Sequence, residues 1–318
     1  MSDLGRVVVL AGGLSHEREV SVRSGRQVAE ALIAVGVDVE LMDADTTLVP
    51  SLASERPAVV FPTLHGAAGE DGAIRQVLEL LGVPYVGARP AACRIAFDKP
   101  CAKAAVSAVG IPTPRSVSLP HTTFRDLGAG RVLDAIVAKL RLPVFVKPAR
   151  GGSALGASVV RNASELPEAM VACYAYGDTA LIEQYVDGVE VAVSVLDTGS
   201  GPVALPVVEI APEHGVYDYR ARYSAGATQF HVPARLAPEP AGAATDIAIR
   251  AHEALGLRDI SRTDLIVDDS GIPWFLEVNV APGMTETSLL PIAAAAADVD
   301  LGVLCRDLLQ VAASRPAI

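Results

Sequence analysis

Aromatic side chains are scarce in this chain of 318 residues, at 4% of the composition. That excludes the stacked-base platforms of single-strand nucleic-acid binders. Positive charge is not in excess either. The formal net charge of -11 argues against nonspecific attachment to DNA or to an anionic membrane. No apolar run approaches the ~20 residues of a membrane span; the alanine-rich residues 292–297 read as a helix packed closely on a neighbour. No signal-peptide pattern opens the chain, because residues 7–11 are too short for an apolar core and run into glycines. Cys93, Cys101, Cys173 and Cys305 have no paired-ligand spacing. They read as buried small hydrophobes in a reducing compartment. A cytoplasmic protein is therefore expected. Two phosphate motifs are also missing: no GKS or GKT follows a glycine loop, and Gly12-Gly13 is not GxGxxG with an acid at the ribose position.

What is present reads as an α/β protein. Half the residues are hydrophobic and a fifth charged, and the length suits two or three domains. Residues 6–11, 37–42 and 57–64 read as strands, with helices over 19–35 and 72–81. This alternation predicts a parallel sheet with helices on both sides, in a Rossmann-like domain over 1–95. A helix over 98–109, strands over 143–148, 158–161 and 180–185, and a helix over 165–176 predict a second domain, 96–187. Strands over 189–196 and 202–210, a helix over 239–255, a hairpin and a C-terminal helix predict a third, 188–318. Its polar loop 211–227 has the length found in active-site lids.

The hairpin carries the chemistry. Ile266 and Val267 lie on its first strand, Trp274 to Leu276 on its second, and residues 268–271 form the turn. Glu277 and Asn279 are two apart and share a face, and Asp264 can sit opposite them. Two carboxylates and an amide carbonyl form a hard oxygen cluster suited to magnesium with phosphates. Arg262, two residues before Asp264, adds a permanent charge on the same face. Phosphoryl transfer with oxyanion stabilisation is the expected chemistry.

Other segments leave two readings open. The loop 151–156 can fold its N–H groups over phosphates, or be a plain hairpin turn. Lys147 beside it is a phosphate ligand or an exposed strand-end lysine. Glu183, on a strand whose backbone could meet a purine, and Glu190, which could bind ribose hydroxyls, are otherwise surface acids. Glu17 presents a carboxylate to an ammonium group or favours a helix N-terminus. His65 orients a substrate or is a satisfied core histidine. The segment Tyr217 to Tyr223 anchors a loop, or brings a cation to a terminal phosphate and excludes water.

Five blocks occur in order: Ser15-His16-Glu17-Arg18-Glu19-Val20-Ser21; Leu64-His65-Gly66 with Gly69-Glu70-Asp71-Gly72; Asp98-Lys99; Tyr217-Asp218-Tyr219; and Glu277 to Asn279 through Pro282-Gly283-Met284-Thr285 to Ser288-Leu289. Together they make the chain resemble the D-alanine–D-alanine ligases of the ATP-grasp superfamily over nearly its whole length. The resemblance implies a pre-ATP-grasp domain followed by a two-domain ATP-grasp fold, with the nucleotide held between two sheets. It implies ATP, D-alanine and two magnesium ions (manganese as an alternative), an acyl phosphate intermediate, and a role in peptidoglycan precursor synthesis. It implies a homodimer through the N-terminal domain, with no nucleic-acid or membrane partner. Lys99, Lys147 and Arg222 would meet the phosphates, and Glu183, the Val186 backbone and Glu190 the adenosine. Asp264, Glu277 and Asn279 would bind metal. Arg262 and the Gly283 N–H would stabilise the oxyanion. Glu17 would pair with the first ammonium, closed over by Ser153 and Tyr223. His65, Ser288 and the Leu289 N–H would hold substrate. Tyrosine at 223 accompanies dipeptide formation, and phenylalanine there a D-lactate ester.

The sequence departs from this pattern at Gly151, Ala154, Gln184, Arg222 and Val280, where glutamate, serine, lysine, lysine and threonine are usual. These departures surround the nucleotide and leave room for a carboxylate–amine ligase of a specialised pathway with another amino acid pair. A Rossmann-type oxidoreductase and a noncatalytic nucleotide sensor are the readings from other classes.

Overall fold

The computed structural model describes residues 4–213 and 226–315. The first sheet holds β1 (Val7–Ala11), β2 (Val39–Asp43) and β3 (Val59–Pro62), all parallel, in the order β2-β1-β3. The middle strand, Val-Val-Val-Leu-Ala, is buried throughout, as a strand covered on both faces must be. Helix α1 (Arg18–Ala34) lies on one face through Val28 and Leu32. Helix α2 (Leu48–Ser54), through Leu48 and Leu52, covers the other. Gly25 makes the α1 contact possible, since a Cβ there would stand 2.5 Å from Ala11 Cβ. Short helices α3 (Ala67–Glu70), α4 (Ala73–Leu80) and α5 (Pro90–Phe97) follow.

Helix α6 (Lys99–Ala108) is capped by the Asp98 carboxylate on Cys101 N–H. The second sheet is antiparallel, with β4 (Ser116–Pro120), β5 (Val144–Pro148), β6 (Ser158–Val160) and β7 (Thr179–Gln184) in the order β4-β7-β5-β6. After α7 (His121–Leu127), helices α8 (Ala129–Leu140) and α9 (Leu166–Tyr174) fill its back with Ile136, Leu140, Leu166 and Met170.

The third sheet runs β11-β10-β8-β12-β13, with β9 beside β8. Its strands are β8 (Val189–Leu196), β9 (Val203–Ala204), β10 (Val208–Pro212), β11 (Thr228–His231), β12 (Ile260–Val267) and β13 (Pro273–Asn279). The single strand expected over 202–210 is two strands. Pro206 supplies no N–H, so the ladder breaks there. Helix α10 (Pro238–Ala254) packs on one face with α5 and α6. Helices α11 (Leu289–Ala296) and α12 (Leu301–Ala313) join the other face to the first sheet in one continuous core. Among the described residues, no helix is long and apolar enough to cross a membrane.

Candidate active site

The hairpin β12–β13 places Asp264 opposite Glu277 and Arg262 opposite Asn279. Between them the register slips, because Asp264 pairs with Glu277 but Leu265 with Phe275. Leu276 is therefore an extra residue. A bulge of this kind re-aims the side chains beside it. Phe275 and Val278, three apart, both enter the core under α10. Leu276 and Glu277, adjacent in sequence, both line the open face. Without the bulge, Glu277 would share the buried face of Phe275.

Arg262 grips Asp264 with two bonds, Nε–Oδ1 2.7 Å and Nη2–Oδ2 2.8 Å. Such a fork holds both groups in one plane. Lys99 opens helix α6 and points back to Glu277 Oε2 at 3.2 Å and Gly151 O at 2.7 Å. Asn279 Oδ1 accepts from Ala281 N–H at 2.7 Å, which fixes the amide and leaves the oxygen a second lone pair.

A cavity of about 350 Å³ lies between the second and third sheets. Phe145, Tyr185, Ile210, Ile266 and Leu276 give it apolar walls, while Lys147, Glu190 and Asp264 give it polar ones. Lys147 is buried, which removes the exposed strand-end reading. Its Nζ is 2.6 Å from Glu183 Oε1, and Lys103 Nζ is 2.5 Å from Glu183 Oε2. Burial opposes ionisation of Glu183, but the two ammonium groups outweigh it and hold the carboxyl below its ordinary range. A lone buried carboxylate would cost several kcal/mol; one ammonium offsets this, and the second leaves the cluster with one net positive charge. Lys103 carries no signal of its own in the sequence, since its partner lies 80 residues away. Gln184 and Ala154 also line this cavity, and the Gln184 amide accepts from Arg115 at 3.3 Å.

A second cavity, about 160 Å³, adjoins the first and shares Lys99 and Glu277 with it. Glu17 lies there at the N-terminus of α1 and accepts from Ser153 Oγ at 2.6 Å. Ser153 and Ala154 both adopt left-handed backbone, φ 55° and 54°, which folds the loop down toward Glu17. Arg262, Asn279, Gly283, Ser288 and Leu289 line the same cavity. Ser288 stands at the N-cap position of α11 without a side-chain cap bond, and Leu289 opens the helix, so the Leu289 N–H has no intrahelical acceptor. Arg23 and Glu70 line the same cavity and are additions to the expected set. His65 also faces it, yet both ring nitrogens are engaged, Nε2 with Ser24 Oγ at 3.0 Å and Nδ1 with Ala281 O at 2.9 Å. Burial, helped by the Arg262 charge and opposed by the Ala281 carbonyl, lowers its pKa to about 4, so the ring is neutral near pH 7. Burial first and then Glu17 raise Glu70 to about 8. Arg222 and Tyr223 lie outside the described residues.

A nucleotide-sized cavity between two antiparallel sheets, joined to a charged cavity through shared groups, defines an ATP-grasp ligase. The family models described as D-ala D-ala ligase C-terminus and D-ala D-ala ligase N-terminus match residues 105–310 and 45–88. A D-alanine–D-alanine ligase of Bordetella petrii is 39% identical over 98% of this chain and 93% of its own length. One from Gloeobacter violaceus is 40% identical over 96% and 98%. Among solved structures, VanG D-Ala:D-Ser ligase from Enterococcus faecalis superposes with a TM-score of 0.83 at 26% identity, covering 96% of this chain and 99% of that one. The D-alanine–D-alanine ligase of Bacillus anthracis complexed with ATP gives 0.81 at 27%, covering 97% of each. The chain belongs to the D-alanine–D-alanine ligase family, and it is an ATP-dependent ligase.

Proposed function

We propose that the protein joins two D-alanine molecules into a dipeptide, with ADP and phosphate as the other products, in peptidoglycan precursor synthesis in the cytoplasm. ATP lies in the larger cavity, its adenosine against Glu183, the Val186 backbone and Glu190, its phosphates toward Lys147, Lys99 and Arg222. The first D-alanine carboxylate attacks the γ-phosphorus and ADP leaves, giving an acyl phosphate. The amine of the second attacks that carbonyl, loses a proton, and expels phosphate. Arg262 and the Gly283 N–H stabilise the tetrahedral oxyanion; one such donor is typically worth ~3 kcal/mol. Glu17, steadied by Ser153 and Tyr223, holds the first ammonium. Ser288 and the Leu289 N–H hold the second carboxylate, and His65 completes that wall.

Asp264 and Glu277 face each other in register with Asn279 one pleat on. These hard oxygen donors, balanced by Arg262 and Lys99, fit divalent magnesium. They would hold two ions, which would neutralise phosphate charge. The division into 1–95, 96–187 and 188–318, with 211–227 as lid, though residues 211 and 212 are the end of strand β10 and not loop, and a homodimer through the first unit complete the reading.

The observation that supports it best is the placement of charge in the smaller cavity. A carboxylate for an ammonium, Glu17, stands with Ser153 there, and Arg262 and Gly283, the oxyanion donors, line the same cavity. The structural likeness to a D-Ala:D-Ser ligase favours a second reading, with another acceptor. The test is phosphate release from ATP and Mg²⁺ with D-alanine, with L-alanine, D-serine and D-lactate as parallel arms and products weighed by mass spectrometry. Dipeptide from D-alanine alone is expected. Turnover only with another pair would move the protein to a specialised pathway.

A further inference from the structure

The loop 281–284 is tied to the first structural layer at both ends. Ser24, fully buried on α1, accepts from Met284 N–H at 3.1 Å and meets His65 Nε2 at 3.0 Å. His65 Nδ1 meets Ala281 O at 2.9 Å. The direction of each bond follows from the chemistry. A carbonyl oxygen only accepts, so Nδ1 carries the ring proton. The neutral ring then offers Nε2 as an acceptor, and the Ser24 hydroxyl donates to it. The Ser24 oxygen is left to accept from Met284. The relay runs Met284 N–H to Ser24 to His65 to Ala281 O, and closes on the loop it started from. Gly283 lies inside that closed ring. Arg75, buried on α4, adds a third tie, from Nη2 to Val280 O at 3.3 Å.

We propose that Ser24 and His65 are positioning residues that aim the Gly283 N–H at the developing oxyanion. The proposal rests on the ligase reading above and on Gly283 as an oxyanion donor. Ser24 does not line the cavity, and His65, which does, has both ring nitrogens engaged in the relay, so neither acts here through a hydrogen bond to substrate. The relay holds Ala281 and Met284 fixed on either side of Gly283, so the peptide between them cannot rotate. A donor aimed at a tetrahedral centre contributes to the transition state more than to bound substrate. The loss on breaking the relay therefore falls on kcat and on tetrahedral mimics.

The test compares Ser24→Ala, His65→Asn and His65→Gln with the wild-type enzyme. Asparagine keeps a donor near Ala281 O and drops the Ser24 link; glutamine keeps an acceptor near Ser24 and drops the Ala281 link. Each half-relay is thus removed separately, and the pair covers the case that Ser24→Ala does not fold. The readouts are kcat, KM for ATP and for the first D-alanine, and inhibition by a dipeptide phosphinate with tetrahedral phosphorus in place of the attacked carbon. Expected is a loss of about tenfold or more in kcat, part of the ~10²–10³ lost with an oxyanion donor. Phosphinate affinity should fall in parallel, with both KM values within about twofold. Unchanged kcat and phosphinate affinity, or an equal loss in ATP binding, would overturn the proposal. Wild-type failure to make dipeptide would instead count against the ligase reading.

Discussion

The two cavities differ in how they would hold what enters them. The larger has an apolar wall of Phe145, Tyr185, Ile210, Ile266 and Leu276, with charged side chains at the junction, at the Glu183–Lys147 pair and at Glu190 and Glu209. The smaller is lined by Glu17, Glu70 and Glu277 together with Lys99, Arg262 and Arg23. Apolar burial of about 25 cal/mol per Å² suits a large flat base. It offers little to an amino acid with one methyl group, which must be fixed by its charged ends. Lys99 and Glu277 belong to both cavities, and Glu277 is the one acid among their described lining residues that does. Phosphoryl transfer between the occupants would pass that junction.

The largest effect should therefore come from Glu277→Gln, which breaks the junction itself. Phosphate release is expected to fall at least about 10³-fold, roughly 4 kcal/mol of transition-state stabilisation. Circular dichroism should show the fold intact, since Glu277 is only partly buried on the open side of the bulge. Wild-type turnover in this variant would remove the metal assignment.

A smaller and more selective effect is expected from Ser153→Ala, which separates the cavities. It deletes the 2.6 Å bond to Glu17 and leaves the nucleotide walls untouched. A hydrogen bond to a charged group is worth about 1.5–3 kcal/mol, so KM for the first D-alanine should rise about tenfold or more. KM for ATP should stay within about twofold. A rise in ATP KM alone would show that Ser153 serves the nucleotide loop and not Glu17.

Much of this was legible in the sequence where the needed signal was local. The spacing of Arg262, Asp264, Glu277 and Asn279 has period 2, and a strand puts such residues on one face. The bulge was not legible, because it belongs to the pairing of two strands and not to either one. Lys103 and Ser24 escaped for a related reason: their partners lie 80 and 260 residues away. Among the elements beyond the sequence reading, α8 does carry a helical signal in Val132, Ile136 and Leu140. Helix α2 is obscured by an internal proline, Pro50, and α5 by its brevity. The readings that fall on Arg222 and Tyr223 lie outside the described residues.

A further expected effect bears on stability and not on turnover, and sharpens the contrast between two buried acids. Glu183 has two ammonium partners and stays ionised. Glu70 has the Gly66 N–H at 2.8 Å and like-charged Glu17 nearby, and is raised from 4.5 to about 8, chiefly by burial. Between these values the unfolded chain gives up the Glu70 proton and the folded chain keeps it. Stability from this group is thus full below about 4.5 and is lost as pH rises toward about 8. The slope is at most about 1.4 kcal/mol per pH unit. Glu70→Gln keeps a neutral acceptor for Gly66 and cannot ionise, so it should remove that slope. Urea unfolding at pH 5.5 and pH 8 would measure it: the variant gains on wild type as pH rises. Parallel wild-type and variant profiles would mean that Glu70 is already charged in the folded protein. The smaller cavity would then hold three carboxylates at neutral pH, and its balance would rest on Lys99, Arg262 and Arg23 alone.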